Sequence, residues 1–299
     1  MAITVQPVTP EFAAEVGDVD LGRPLSTDDI AAIKAAFTRY AVLVFPDQTF
    51  SDESHLDFAR HFGPLETSVF AIRKDHKMRL DANMADVGNL DADNNILPLN
   101  DRIRLYQLGN RLWHTDSSFK RLPAYCSILH GRSIPPIGGH TEFADLRAAY
   151  DALPEATKRR IVGLVAEHSL LTSRARLGFS DFDETERQAF EPVPQVIVRR
   201  LQDSGRMSLY LASHAGAIRG MAKGEAEKLL KELIDHATQR QFVYTHRWRV
   251  NDLVMWDDRC TLHRGREFDD QRYKRDMRRA TVSDIAPTCE QMGLAAAAE

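Results

Sequence analysis

Apolar positions in this chain fall into short blocks, and the polar interruptions between them define most of the expected elements. Ser26 and Asp29 form a capping-box pattern ahead of a segment where Ile30, Ile33 and Phe37 recur at helical spacing, which predicts a helix with one buried stripe. Ala41-Val42-Leu43-Val44-Phe45 is a continuous apolar run closed by Pro46-Asp47 and reads as a buried strand. Residues 51–62 predict a second helix, with Leu56, Ala59 and Phe62 inward and Gly63-Pro64 as the stop. From Glu66 to about Asn110 the periodicity fades, and isolated apolar residues such as Ile72, Met78 and Val87 stand among polar ones. A loop of that length in a compact domain is usually a lid or binding segment, and a lid or substrate loop near 66–110 is expected here; functionless disorder is the alternative.

Strand patterns dominate the rest. Tyr125 to Gly131 reads as a strand, Pro135 to Gly139 as a turn, and His140 to Ala144 as the start of the next strand. Residues 145–153 and 154–164 predict two short helices, and 195–198 with 208–211 a hairpin around Asp203-Ser204-Gly205. A helix is expected near 223–238, with Ala226, Leu229, Leu230, Leu233, Ile234 and Ala237 on one face. Residues 242–248 alternate, Asn251-Asp252 turns, and 252–256 predicts a strand leading into residues 257–264. The Ala-rich tail from Leu294 to Glu299 reads as frayed. No internal repeat or linker appears, so a single domain over 1–299 is expected. Its fold class is mainly β with flanking helices, around a barrel or jelly-roll core.

Composition narrows the function classes. Hydrophobic content of 43%, charged content of 27% and a formal net charge of -4 describe an ordinary soluble globular protein. No Lys/Arg block resembles a nucleic-acid footprint; the basic run Arg272 to Arg279 is interleaved with other residues and reads as an anion site. Cys126, Cys260 and Cys289 are odd in number and widely spaced, which favours a reducing compartment over a disulfide framework. The start of the chain has no signal pattern, and no apolar stretch would span a membrane, so a cytoplasmic location is expected.

The chemistry centres on Trp113-His114-Thr115-Asp116-Ser117. In extended backbone, residues i and i+2 share a face, so His114 and Asp116 can reach one ion together. With a distant second histidine, for which His263 is the candidate, they make a 2-His-1-carboxylate set that holds Fe(II) and leaves positions open. Alone, a His-x-Asp pair is a weak signal. Arg275 and Arg279 add to it: on one strand, a spacing of four puts both guanidiniums on one face, suited to two carboxylates. The bland alternative is that they pair with Asp269, Asp270 or Asp276 at the surface. His55, His61, His76, His130, His140, His168, His236 and His246 lack such spacing and read as surface or core; Trp113, Trp256 and Cys260 read as packing.

These residues also carry a resemblance. Val42 to Phe45, Phe58 to Leu65, Leu112 to Phe119, Gly138 to Leu153, His236 to Gln239, Asp252 to Asp257, His263-Arg264-Gly265 and Met277 to Thr281 together resemble, in order and across nearly the whole chain, the taurine dioxygenase family of Fe(II)/2-oxoglutarate-dependent oxygenases. Within it the chain is most similar to the aryloxyalkanoate dioxygenases, which degrade herbicides. The resemblance implies a double-stranded β-helix with Fe(II), 2-oxoglutarate and O2 as cofactor and co-substrates. It implies His114, Asp116 and His263 as iron ligands, and Thr141 with Arg275 on the distal carboxylate of 2-oxoglutarate. Arg279 corresponds to the substrate-anion arginine; His214 and Asn110 match substrate-side positions, and Ser117 is placed with them. Asp258 stands where the family usually has Asn, which changes a supporting hydrogen bond and removes no ligand.

The expected reaction is hydroxylation of an aryloxyalkanoate next to its ether oxygen, giving a phenol and glyoxylate alongside succinate and CO2. The alternatives are the same chemistry on a sulfonate or sulfate ester, a non-catalytic metal-binding barrel, or a zinc hydrolase. The expected partner is a small anionic substrate, with no nucleic acid and no membrane, and the expected assembly is a homo-oligomer from dimer to tetramer.

Overall fold

The computed structural model describes residues 3–72 and 78–294. Its scaffold is a seven-stranded sheet in the order Thr4–Pro7, Ala13–Gly17, Val42–Phe45, Leu253–Asp257, Ala124–Ser133, Asp276–Ser283 and Met84–Asp86. All pairs are antiparallel except Ala13–Gly17 with Val42–Phe45. A smaller sheet, Val243–His246, Thr141–Asp145 and Thr261–Gly265, carries the opposite wall of a jelly roll. That wall continues through His114, which bridges His263, and through Trp113, whose carbonyl accepts from Ser213 N–H.

The apolar run at 42–45 is fully buried because both faces of its strand are covered. Leu43 and Phe45 point to the core beneath the helices Thr27–Tyr40 and Asp52–Arg60, whereas Val42 and Val44 point into the roll. The same alternation divides Leu253–Asp257: Leu253 and Met255 face the helices, Val254 and Trp256 the interior. Ser127, Leu129, Arg279 and Thr281 occupy the interior face at adjacent register positions, with Arg279 opposite Leu129 and Thr281 opposite Ser127. Helix Lys223–Ala237 closes a second core by burying Ala226, Leu229, Leu230, Leu233 and Ala237.

The Ser26–Asp29 capping box is present and starts its helix. Two readings shift. Residues 66–110 are more ordered than a loop: they hold the strand Met84–Asp86, the helix Arg102–Gln107 and two 3-10 turns, Val69–Ile72 and Leu108–Arg111. Short elements of this kind carry too few apolar repeats to show periodicity. The hairpin around Asp203-Ser204-Gly205 is formed by Val198–Arg200 and Met207–Leu209, while Val193–Val196 pairs instead with Val165–His168. Part of the expected lid, 73–77, lies outside the described residues, as does the expected frayed tail beyond Leu294. Among the described residues, no helix is long and apolar enough to cross a membrane.

Phe45 is fully buried and meets Phe58 edge to face at 5.8 Å. Phe45→Ala is expected to destabilise the fold by about 3–5 kcal/mol, and Ile137→Ala, at a position 77% exposed, to change little. Chemical denaturation of the two variants checks this, and equal effects would mean the core does not lie beneath that strand.

Candidate active site

The backbones of His114 and His263 exchange hydrogen bonds of 3.0 and 2.8 Å, which sets their imidazoles side by side with centroids 4.1 Å apart. Thr115 turns away, donating its hydroxyl toward Leu211 O and Thr261 O, each 2.9 Å away, and so pins the segment from behind. Alternation then returns Asp116 to the side of His114. His114 Nε2 lies 3.7 Å from Asp116 Oδ1, and His263 Nε2 lies 3.6 Å from Asp116 Oδ2. One donor atom from each of the three residues falls within 4.8 Å of the others, and all three residues are buried.

Orientation and protonation suit ligation. A carbonyl can only accept, so His114 Nδ1–H donates to Leu112 O at 2.8 Å and leaves the Nε2 lone pair facing Asp116. The His263 ring is held by packing instead, 4.8 Å from Trp256 and 6.1 Å from Phe143. Burial lowers the pKa of both imidazoles, for His263 with the help of neighbouring His114, and keeps them neutral. Burial pushes the Asp116 carboxyl up, but the Arg279 guanidinium and the Ser127 hydroxyl outweigh it and hold its pKa below the usual carboxylate range. Ser127 Oγ donates to Oδ2 at 2.9 Å, and Arg279 Nη1 to Oδ1 at 2.6 Å. Two neutral imidazoles and a carboxylate on one side form a donor set that fits a divalent first-row ion such as Fe(II), with coordination positions left for exogenous ligands. Cys260 is packed among apolar residues and offers no thiolate to the set.

Two cavities meet at this cluster. Both are lined by His114, Asn110 and Arg279. One, of about 100 Å³, runs past Trp256 and Leu129 to Thr141 and Arg275. Arg275 is buried; its Nη1 donates to Val87 O at 2.9 Å, its Nε has no partner, and burial lowers its pKa to about 10. None of Asp269, Asp270 and Asp276 pairs with it, so the surface ion-pair alternative does not hold for this residue. Gly88 is what lets Val87 come so close, since a β-carbon there would overlap the Arg275 carbonyl. Trp248 Nε1–H donates to Thr141 Oγ1 at 2.9 Å, so the threonine's own proton is directed elsewhere. Arg275 itself precedes the strand Asp276–Ser283, and a bulge follows at Asp276/Met277, yet both arginines reach this cavity.

The other cavity, of about 70 Å³, is lined by His214, Ser117, Phe119, Tyr106, Glu66 and Arg174, among others. His214 lies 6.1 Å from the His114 ring, with Nδ1 3.0 Å from Ser173 Oγ. Ser117 adopts a left-handed backbone (φ 52°), and its hydroxyl proton goes to Glu66 Oε2 at 2.6 Å, so a ligand would meet only its acceptor side. Asp258 Oδ1 accepts from Asp116 N–H at 3.2 Å and from Trp256 Nε1–H at 3.0 Å, which makes it a support for the ligand backbone. Every candidate residue taken from the sequence therefore lies at one of these two cavities. Trp248, Ser127, Glu66 and Arg174 went unremarked as site residues; no motif marks them, and only the fold brings them here.

The chain matches the family model described as taurine catabolism dioxygenase TauD, TfdA family, over residues 4–281. It is 43% identical to the alpha-ketoglutarate-dependent 2,4-dichlorophenoxyacetate dioxygenase of Cupriavidus pinatubonensis, over 96% of this chain and 99% of that protein. It is 37% identical to the (S)-phenoxypropionate/alpha-ketoglutarate-dioxygenase of Sphingobium herbicidovorans, over 90% and 91% of the two chains. Among solved structures, AAD-2 in complex with Mn(II) and N-oxalylglycine superposes with a TM-score of 0.89 at 45% identity, covering 96% of this chain and 99% of that one.

Mn(II) serves as an oxygen-insensitive probe of the donor set. Asp116→Ala is expected to remove its binding, and Ser127→Ala, which strips one hydrogen bond from the carboxylate, to weaken it roughly 10–100-fold. Isothermal titration measures both; unchanged affinity in Asp116→Ala would place the ion elsewhere.

Proposed function

The chain belongs to the taurine catabolism dioxygenase TauD/TfdA family, and on that premise we propose that it hydroxylates aryloxyalkanoic acids of the 2,4-dichlorophenoxyacetate type at the carbon between the ether oxygen and the carboxylate. It is a 2-oxoglutarate-dependent dioxygenase, an oxidoreductase that uses Fe(II) and O2. The observation that carries the substrate-side reading is the pair of cavities meeting at His114, one of which ends in a buried guanidinium with no carboxylate partner among the described residues.

His114, Asp116 and His263 would hold the iron. Bound there with 2-oxoglutarate and O2, it supplies the power to replace a C–H hydrogen by hydroxyl, while 2-oxoglutarate leaves as succinate and CO2. The protein's part is placement. Arg275 and Thr141 take the distal carboxylate of 2-oxoglutarate: the guanidinium gains the counter-charge that it lacks, and the Thr141 proton is available because Trp248 already fills one of the hydroxyl's acceptor positions. Arg279, on the wall common to both cavities, and His214, Asn110 and Ser117 face the substrate. Fixing the acid's carboxylate selects the adjacent carbon for reaction. Hydroxylation there gives a hemiacetal, which collapses to the phenol and glyoxylate. One O2 is consumed, with one atom in the hydroxyl and one in succinate.

We further read the protein as a cytoplasmic homo-oligomer. All three cysteines are reduced and buried, which suits that compartment, and light scattering gives the assembly size.

The test is succinate release by protein reconstituted anaerobically with Fe(II) and 2-oxoglutarate, then exposed to O2 with phenoxyacetates, phenoxypropionates or taurine. Phenoxy acids should stimulate release and yield the phenol; equal release with every compound, taurine included, would overturn the substrate class. Arg275→Gln is expected to raise the KM for 2-oxoglutarate about tenfold or more through loss of a charge-assisted pair. Arg279→Ala should mainly raise the KM for the phenoxy acid. The reverse pattern would mean that the two arginines serve opposite ligands.

A further inference from the structure

Among the described residues five arginines are buried: Arg147, Arg174, Arg199, Arg259 and Arg275. Three have a carboxylate at ion-pair distance, Arg147 with Asp145, Arg199 with Asp284 and Arg259 with Asp257. Arg174 and Arg275 have none among the described residues, and each lines a different one of the two cavities at the metal cluster. A buried cation without a counter-ion is costly, and a site that keeps one is built to receive an anion.

The surroundings of Arg174 hold it in place. It lies on the short helix Leu170–Ala175, with its guanidinium 4.4 Å over the Tyr106 ring and Nη1 donating to Ser173 Oγ at 3.0 Å. Gly109 leaves the room: a methyl group there would overlap the guanidinium. The Arg174 Nε is buried without a partner. Ser173 Oγ gives its one proton to Leu170 O, so it accepts from both Arg174 and His214 Nδ1–H, and a neutral His214 keeps a bare Nε2. His214 is thus an acceptor rather than the cavity's cation. The other charges lining this cavity are matched: Asp116 by Arg279 at 2.6 Å, Glu66 by Lys120 at 2.6 Å, and Asp86 by Arg79 at 2.7 Å. Of the Lys and Arg side chains lining this cavity, Arg174 alone has no carboxylate at ion-pair distance among the described residues.

We propose that Arg174 is a further specificity-determining residue of the substrate cavity, its planar guanidinium joining Arg279 on the carboxylate of a singly charged organic acid. The inference rests on the reading of this cavity as the substrate side. It assigns to Arg174 there the task that Arg275 has in the neighbouring cavity, beside Arg279, which faces the same substrate from the wall that the two cavities share. Burial lowers the Arg174 pKa, as expected of a cation awaiting its partner.

The test compares 2,4-dichlorophenoxyacetate with its uncharged amide in the Fe(II)-loaded enzyme. Wild type should prefer the acid. Arg174→Gln should raise the acid's KM at least about tenfold and cut the acid-over-amide preference by the same factor, with the KM for 2-oxoglutarate within about twofold of wild type. Equal losses for acid and amide would reveal a packing role and overturn the proposal, as would an unchanged preference or a wild type without one. Arg174→Lys, which keeps the charge and loses the fork, decides the matter if Arg174→Gln does not fold: its preference should be reduced, and an undiminished one overturns the claim. Failure of the aryloxyalkanoate reading looks different. Wild type would then turn over no phenoxy acid, and the acid-over-amide ratio would be taken on whichever acid of a carboxylate panel stimulates succinate release.

Discussion

The arrangement depends on a carboxylate buried between two neutral imidazoles. An ionised Asp116 at that depth is expensive unless hydrogen bonds and opposite charge surround it, and the fold supplies both from separate elements. Ser127 comes from the strand Ala124–Ser133, Arg279 from Asp276–Ser283, and the backbone brace at Asp258 from the turn after Leu253–Asp257. Those strands are neighbours in the large sheet, while the histidines belong to the opposite wall. The donor set therefore forms only when the two walls of the roll are in register with each other. Chain order explains the distance: the first two donors precede the strand Ala124–Ser133, and the third lies on Thr261–Gly265.

Charge pairing extends this logic from the metal cluster to its surroundings. Arg147, Arg199 and Arg259 are buried and satisfied, and each serves the scaffold. The two left without a carboxylate among the described residues, Arg174 and Arg275, open onto cavities, where an incoming anion would complete them. Preorganised cations of this kind discriminate strongly, because a ligand lacking the matching group leaves them unpaired. The glycines at 88 and 109 support that arrangement, since at both positions a side chain would invade the space of an arginine or its backbone.

How much of this the sequence revealed follows from what each residue answers to. The helix Thr27–Tyr40, the strand Val42–Phe45 and the helix Lys223–Ala237 showed themselves because capping and burial repeat at a fixed period. The elements between 84 and 111 did not, because three to six residues are too few for a period to appear. His114 and Asp116 were visible as a local pair, and Arg275 and Arg279 as a spaced one. His263 was the candidate for the distant second histidine, and Thr141 came through the wider resemblance. Arg174 and Trp248 depend on contacts with Gly109, Tyr106 and Thr141, which lie far off in the chain. Nothing local distinguishes them.

Asp258 shows how a departure from the family pattern can leave the chemistry intact. An amide at this position would accept through its oxygen and donate through its nitrogen, whereas an ionised carboxylate could only accept. Its Oδ1 does the accepting, from Asp116 N–H and Trp256 Nε1–H. Burial, and then the charge of Asp116, push the Asp258 pKa well up, which favours the protonated acid. A protonated acid is the closest electronic analogue of an amide: one oxygen accepts and the other donates. Two ionised carboxylates so close together would repel, and Asp116, nearer to Arg279, keeps the charge. The substitution at 258 thus keeps the two hydrogen bonds accepted by Oδ1, while Oδ2 stays without a partner among the described residues, and it leaves the negative charge on the residue that faces the metal position.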